Sequence, residues 1–160
     1  MIMQKKKETS QSLPSRQLKI AGVTILELLV VVAIIAIIAS FAYPSYMGHV
    51  VRTKRTAATA TLLEIANRQQ QFFMDRKSYT SDLTDLGYGS DPFVISDDGT
   101  TALAKDLESV YSITLSDVAA TTYTITATPL HGQLSQDIVC GILTLDQAGV
   151  RGSDGVDCWH

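Results

Sequence analysis

Few residues in this chain of 160 have the type and spacing to do chemistry, and they gather towards its two ends. Glu27 is a lone carboxylate in a greasy stretch: Gly22-Val-Thr-Ile-Leu-Glu27 runs into apolar residues from Leu28 to Ala42, broken only by Ser40. A charged side chain at the centre of a membrane helix costs about 2.5–3.5 kcal/mol on insertion scales, and such residues usually mark function. The milder reading places Glu27 at the membrane interface with Lys19 close by. At the other end stand Cys140 and Cys158. In an exported domain such a pair is expected as a disulfide, because the compartment is oxidising and a metal site would need more than the nearby His160.

Catalytic patterns are missing. His49, His131 and His160 stand in no motif, and there is no Gly-x-Ser-x-Gly, no His-Glu-x-x-His and no phosphate-cradling glycine loop. His131, between Pro129 and Gly132, reads as a loop residue rather than a base. Asp97 and Asp98 beside Gly99 invite calcium, but the ligand spacing of a calcium loop is lacking. The expectation is a protein that is not an enzyme and has no cofactor and no metal.

The elements that position Glu27 follow from charge and hydropathy. Five Lys or Arg and one acid precede Val23, whereas the remainder has 8 basic and 15 acidic residues. A basic flank, an apolar span and an acidic remainder predict a cytoplasmic N-terminus with the rest translocated. An acidic exported domain is also a poor general binder of phosphate backbones. From Val23 to Tyr43 the only charge is Glu27, and a helix of that length covers about 30 Å, the thickness of a bilayer core. Two ordinary readings compete here: an uncleaved signal anchor, or a signal peptide cut after Ser40-Phe41-Ala42. Residues 1–22 are polar, basic and aperiodic and read as a leader.

Gly22-Val-Thr-Ile-Leu-Glu27-Leu-Leu-Val-Val-Val-Ala-Ile-Ile-Ala, with Tyr43-Pro44-Ser45-Tyr46 beyond it, resembles the prepilin signature of type IV pilins and related pseudopilins. The likeness combines a Gly, a Glu five residues later, a charge-free apolar run and a Pro at a set distance; Val23 stands where the family usually has Phe. The resemblance implies cleavage between Gly22 and Val23 by prepilin peptidase, N-methylation of Val23, and a Glu27 that pairs with the N-terminal amine of a neighbouring subunit. It further implies an inner-membrane assembly platform and other pilin subunits as partners, with the lipid bilayer holding residues 23–43 until assembly.

Pro44 removes a helical N–H and predicts a kink or local break. Beyond it, Val51, Ala58, Leu62, Ile65 and Phe72 recur at helical spacing, interrupted by Gln69, which predicts one amphipathic helix from Val23 to about Met74. Arg52, Lys54 and Arg55 read as a solvated, lipid-proximal face, with nucleic acid or an acidic neighbour as the sharper alternative. The stretch from Lys77 to Phe93 is rich in turn formers and predicts a loop with a helical turn near Ser81 to Leu86, and 91–107 has no assignment. Tyr111–Leu115 and Tyr123–Ala127 alternate as strands, the second ended by Pro129; Ile138–Leu145 is a third, with Val139, Gly141, Leu143 and Leu145 on one face. The tail from Asp146 to Trp159 would be floppy without a tie, and a Cys140–Cys158 bridge would supply one worth about 3 kcal/mol.

Gln69–Tyr88 and the Cys140-to-Trp159 region also resemble PilE-type pilins of the type IVa branch. The fold so implied is α+β, the long helix packed on an antiparallel sheet of about three or four strands, with 1–22 as leader, 23–43 as assembly helix and 44–160 as an exported head. The function implied is that of a pilus subunit, major or minor, serving assembly, twitching motility, adhesion or DNA uptake. A pseudopilin of a type II secretion system and a membrane-anchored module that does not polymerise stand as alternatives.

Overall fold

Burying one apolar stripe of a long helix requires a sheet with one apolar face, and this chain builds both. The structure, a computed structural model, describes residues 22–97, 99–101 and 106–159. Expectations about the leader before Gly22, about Asp98 and about His160 lie outside the described residues. The chain falls into two compact units, one ending at Ser40 and the other running from Phe41.

Helix α1 spans Ile25–Arg76, with Pro44 inside it and no break in helical structure at the proline. Its start is set by Thr24, whose Oγ1 accepts the Glu27 N–H at 3.2 Å, while the Thr24 carbonyl accepts the Leu28 N–H at 3.2 Å. This is the N-cap half of a Thr-x-x-Glu capping box. Beyond Pro44, Val51, Ala58, Leu62 and Ile65 are buried as the periodicity predicts, and Phe72 is partly buried against the core. Each fully buried Leu or Ile contributes roughly 1.5–3 kcal/mol. Gln69, expected to interrupt the stripe, belongs to it. Its Nε2 donates to the Thr80 carbonyl at 2.7 Å and its Oε1 accepts the Thr80 N–H at 3.2 Å, so the amide stands in for a strand neighbour of the chain leaving the helix.

That chain makes a 3-10 turn at Leu83–Leu86, capped by Asp82 and closed by Gly87 at φ +85°, as the turn formers predict. Among the described residues five strands follow: β1 (Phe93–Ser96), β2 (Ser109–Ser116), β3 (Thr124–Pro129), β4 (Leu143–Asp146) and β5 (Arg151–Ser153). They form one antiparallel meander in the order β1-β2-β3-β4-β5. The register aligns Ile95 with Tyr111, Ile113 with Ala127, Leu115 with Ile125, and Ile125 with Leu145. These side chains form the apolar face that meets Ala58, Leu62 and Ile65 of α1. Ser112, Thr114, Thr126 and Thr144 alternate onto the opposite face, the one-sided pattern an antiparallel sheet permits.

Three expectations need correction. The sheet has five strands, because Phe93-Val-Ile-Ser96 and Arg151-Gly-Ser153 also pair. The third expected strand begins at Leu143 and not at Ile138: Gly141 sits at φ +49°, packed closely against Asp154, and a strand cannot continue through that left-handed residue. Ile138 and Val139 are consequently 77% and 68% exposed. His131 is no loop residue but opens a six-residue helix, α2 (His131–Gln136), inserted between β3 and β4.

Candidate functional site

In the first unit the functional feature is a bare apolar surface. Val23, Ile25, Leu26 and the large apolar residues onward to Phe41 are all exposed, and none of this strongly apolar stretch is buried. By length and composition it is a helix able to cross a membrane. Water is the wrong solvent for such a surface, so lipid or other protein must cover it. Gly22, Val23 and Thr24 precede the helix without regular structure and are exposed. Glu27 lies in the first turn, where the positive end of the helix dipole favours a carboxylate, and it makes no ion pair among the described residues.

In the second unit a buried polar cluster fastens α1 to the sheet. Arg55 Nε donates to Asp137 Oδ2 at 2.9 Å and Arg55 Nη2 pairs closely with Oδ1, giving a two-pronged ion pair. Asp137 Oδ2 also accepts the Tyr111 hydroxyl at 3.2 Å and Gln133 Nε2 at 3.0 Å, and Gln133 Nε2 lies 3.1 Å from the Tyr111 oxygen and 3.4 Å from the Val51 carbonyl. Arg55 is 8% and Asp137 2% exposed. The Asp137 hydrogen bond holds the Arg55 guanidinium above its ordinary pKa, against the opposing effect of burial. Burial pushes the Tyr111 hydroxyl up to about 12. Arg55 therefore leaves the solvated cluster in which its sequence neighbours suggested it belonged: Arg52 is exposed, Lys54 half-buried, and Arg55 points into the protein, because 55 lies four residues from Val51 on the buried stripe.

Sequence reasoning missed Tyr111, Gln133 and Asp137 as a unit. No local signal could have joined them to Arg55, 82 residues away from Asp137. Thr24 was findable, since Thr-x-x-Glu before an apolar run is a helix-start signature.

At the far end Cys140 and Cys158 are bonded, with Cα atoms 5.5 Å apart and both residues buried. The tail they tie down is ordered by more than the bridge. Asp146 Oδ1 accepts the Ala148 and Val150 N–H groups at 2.9 and 2.8 Å, turning β4 back into β5. Trp159 Nε1 donates to the Gly152 carbonyl at 3.0 Å, and Arg151 lies over the indole ring.

A lipid-length apolar helix with one carboxylate in its first turn, continuing as the wall of a disulfide-tied α+β head, defines a pilin-like subunit. Residues 44–144 match the family described as "Type IV minor pilin ComP, DNA uptake sequence receptor", and residues 18–43 match the prokaryotic N-terminal methylation motif. The first match spans well over half of the chain, which belongs to this family of type IV minor pilins. It is a structural subunit of a type IV pilus and assembles with other pilin subunits. Among solved structures, a type IV pilin from Shewanella oneidensis is similar at 21% identity, with 69% of this chain and 98% of that one covered and a TM-score of 0.47. The Neisseria meningitidis non-core minor pilin PilV is similar at 19% identity, with 68% and 91% covered and a TM-score of 0.46. No curated protein matches the chain.

Proposed function

We propose that this chain enters the inner membrane as a single span with its N-terminus cytoplasmic, is cut between Gly22 and Val23 by prepilin peptidase, and is methylated on the Val23 amine. The leader is then 1–22, the assembly helix 23–43 and the exported head 44–160. The observation that carries this reading is the exposed apolar surface from Val23 to Phe41 with Glu27 as its single charge, unpaired among the described residues. Once the chain is cut, Glu27 is four residues from the new amine, and a carboxylate transferred into a filament core needs a cation there. The amine of a neighbouring subunit supplies one, so lipid release and subunit addition occur together at the assembly platform. A local kink at Pro44 belongs to the same reading.

In the filament the subunit serves DNA uptake, as the family description states of its members. With more acids than bases in the mature chain, general attraction to phosphate is weak, so DNA recognition is local to a part of the head. The test is intact mass of the protein from sheared pili together with gene deletion. A chain starting at Val23 with one added methyl, and a deletion strain that keeps surface fibres but loses DNA uptake, are the expected results. A start after Ala42, or an uncut chain, refutes the assembly reading; lost exoprotein secretion with normal DNA uptake refutes the pilus role in favour of a pseudopilin.

A further inference from the structure

Exposed apolar surface continues past the membrane-length segment. Phe41, Tyr43 and Tyr46 are 77%, 66% and 65% exposed on α1, and Ile138 and Val139 stand exposed in the segment after α2. Tyr43 and Val139 line a common cavity of about 480 Å³. Its wall on α1 is the stripe Tyr43, Met47 and Val51, one side chain in every four. The Arg55–Asp137 pair also lines it, with its two charges already matched. Arg52 lines it too, is exposed, and makes no ion pair among the described residues.

The chain itself supplies a segment of complementary character. In a subunit that assembles with other pilins, the bare apolar residues from Val23 to Phe41 must be covered by protein once they leave lipid. The first turn of that segment, Val23-Thr-Ile-Leu-Glu27, offers aliphatic side chains and one carboxylate that is also unpaired among the described residues. An apolar hollow with an unmatched cation thus answers an apolar turn with an unmatched anion. The two cannot meet within one chain, because Glu27 and Arg52 are 25 residues apart on a single helix, about 37 Å at ~1.5 Å per residue. Between copies the contact joins two different surfaces, and such a contact repeats into a filament wherever its rotation does not close a ring.

We propose that this cavity receives the first turn of a second copy of the chain, Val23 to Glu27, with the Glu27 carboxylate paired to Arg52. The inference rests on the assembly reading above and adds the receiving surface and the register. Two parallel copies so joined are displaced by about 37 Å along the helix axis. Copies at one depth in the bilayer cannot make the contact, since their first turns lie level with one another. It forms when one copy has been raised past the other. Arg52 then adds a second donor to the carboxylate, beside the neighbouring amine. The turn is a chain end only after cleavage at Gly22; an attached leader would bring Arg16 and Lys19 towards Arg52, like charge against like.

The experiment combines Ile25→Cys with Met47→Cys in the full chain, whose native cysteines are bonded to each other, and treats sheared pili with a short bis-maleimide. The double variant should give a ladder of dimers and higher multimers on denaturing gels, and neither single variant should. In membranes of a strain that makes no pili it should stay monomeric. Arg52→Glu should enter pili roughly ten-fold less than the wild type, the weight of one charged hydrogen bond, and should weaken the ladder to match. Arg76→Glu, at the far end of α1, should change neither. Pili that contain the double variant but give no ladder overturn this inference alone, as does Arg52→Glu at wild-type amounts with its ladder intact. Multimers in the strain without pili overturn it too. A ladder from Ile34→Cys with Met47→Cys in place of the first pair assigns a different register and also overturns it. A wild-type chain that stays uncut, or is absent from the fibres, overturns the assembly reading itself.

Discussion

Removing one member of the Arg55–Asp137 pair is the sharpest perturbation of the head. Both side chains are buried, and together they link α1 to the segment after α2 through two hydrogen bonds. Arg55→Met leaves the Asp137 carboxylate desolvated with only the Tyr111 hydroxyl and Gln133 amide as donors. Asp137→Leu leaves the guanidinium buried without an anion. Breaking such a pair from one side costs about 3–5 kcal/mol. For a head of this size that is about 12–20 °C in melting temperature, at roughly 4 °C per kcal/mol. The double substitution removes both charges at once and should recover most of the loss, because apolar replacement of a whole buried pair is often neutral. The assay is thermal unfolding of the full chain in detergent, following near-ultraviolet circular dichroism of the head. Single variants that cost under about 1 kcal/mol would refute the reasoning, since the pair would then behave as a hydrated surface contact. A double variant as unstable as the worse single one would refute the desolvation account and assign the cost to lost packing.

Glu27→Ala should leave processing and membrane insertion intact but exclude the subunit from pili; normal amounts of the variant in sheared fibres would defeat the pairing idea. Gln69→Ala should cost about 1–3 kcal/mol by leaving the Thr80 N–H and carbonyl buried without partners, measured by chemical unfolding. Cys158→Ser should cost about 3 kcal/mol, with hydrogen exchange accelerated most in β5 and the tail; uniform acceleration would contradict a local tie. Burial raises the Tyr88 and Tyr111 hydroxyls to about 12, above their ordinary value of 10.0. Between those values the folded state holds protons that the unfolded state has released. The contribution of these tyrosines to stability should therefore be constant below pH 10 and fall as pH rises towards 12, with a smaller fall in Tyr88→Phe; a flat profile from pH 10 to 12 would contradict it.

What was legible in the sequence was whatever repeats. The apolar stripe of α1 and the alternation of β2 and β3 each sum many weak preferences over many residues, so a period survives single exceptions. The exceptions were misjudged for a common reason. Gln69 looked like a gap in the stripe and Arg55 like a surface cation, yet both are buried, because each meets a partner supplied by another part of the chain: Thr80 for one, Asp137 for the other. A polar side chain is placed by its partner and not by its own hydropathy. The two unforeseen strands divide along the same line. Phe93-Val-Ile is a short apolar run of the kind a fully buried strand uses, and all four residues of the strand Phe93–Ser96 are buried, so a signal existed beside the turn formers that obscured it. Arg151-Gly-Ser153 has no such run and exists as a strand because Asp146, Trp159 and the disulfide hold it against β4.

The same distinction separates the two halves of the candidate site. Glu27 was conspicuous because it is the only charge between Val23 and Tyr43, and the structure offers it no cation among the described residues. Asp137 was invisible because the head satisfies it completely, with donors from Arg55, Tyr111 and Gln133. A carboxylate whose partners lie within the chain stabilises the subunit; in the assembly proposed above, one without such a partner makes the subunit depend on a neighbour. The head is thereby held by its own contacts, whereas in the assembly proposed above the single charge of the apolar half of α1 would gain its partner from the filament.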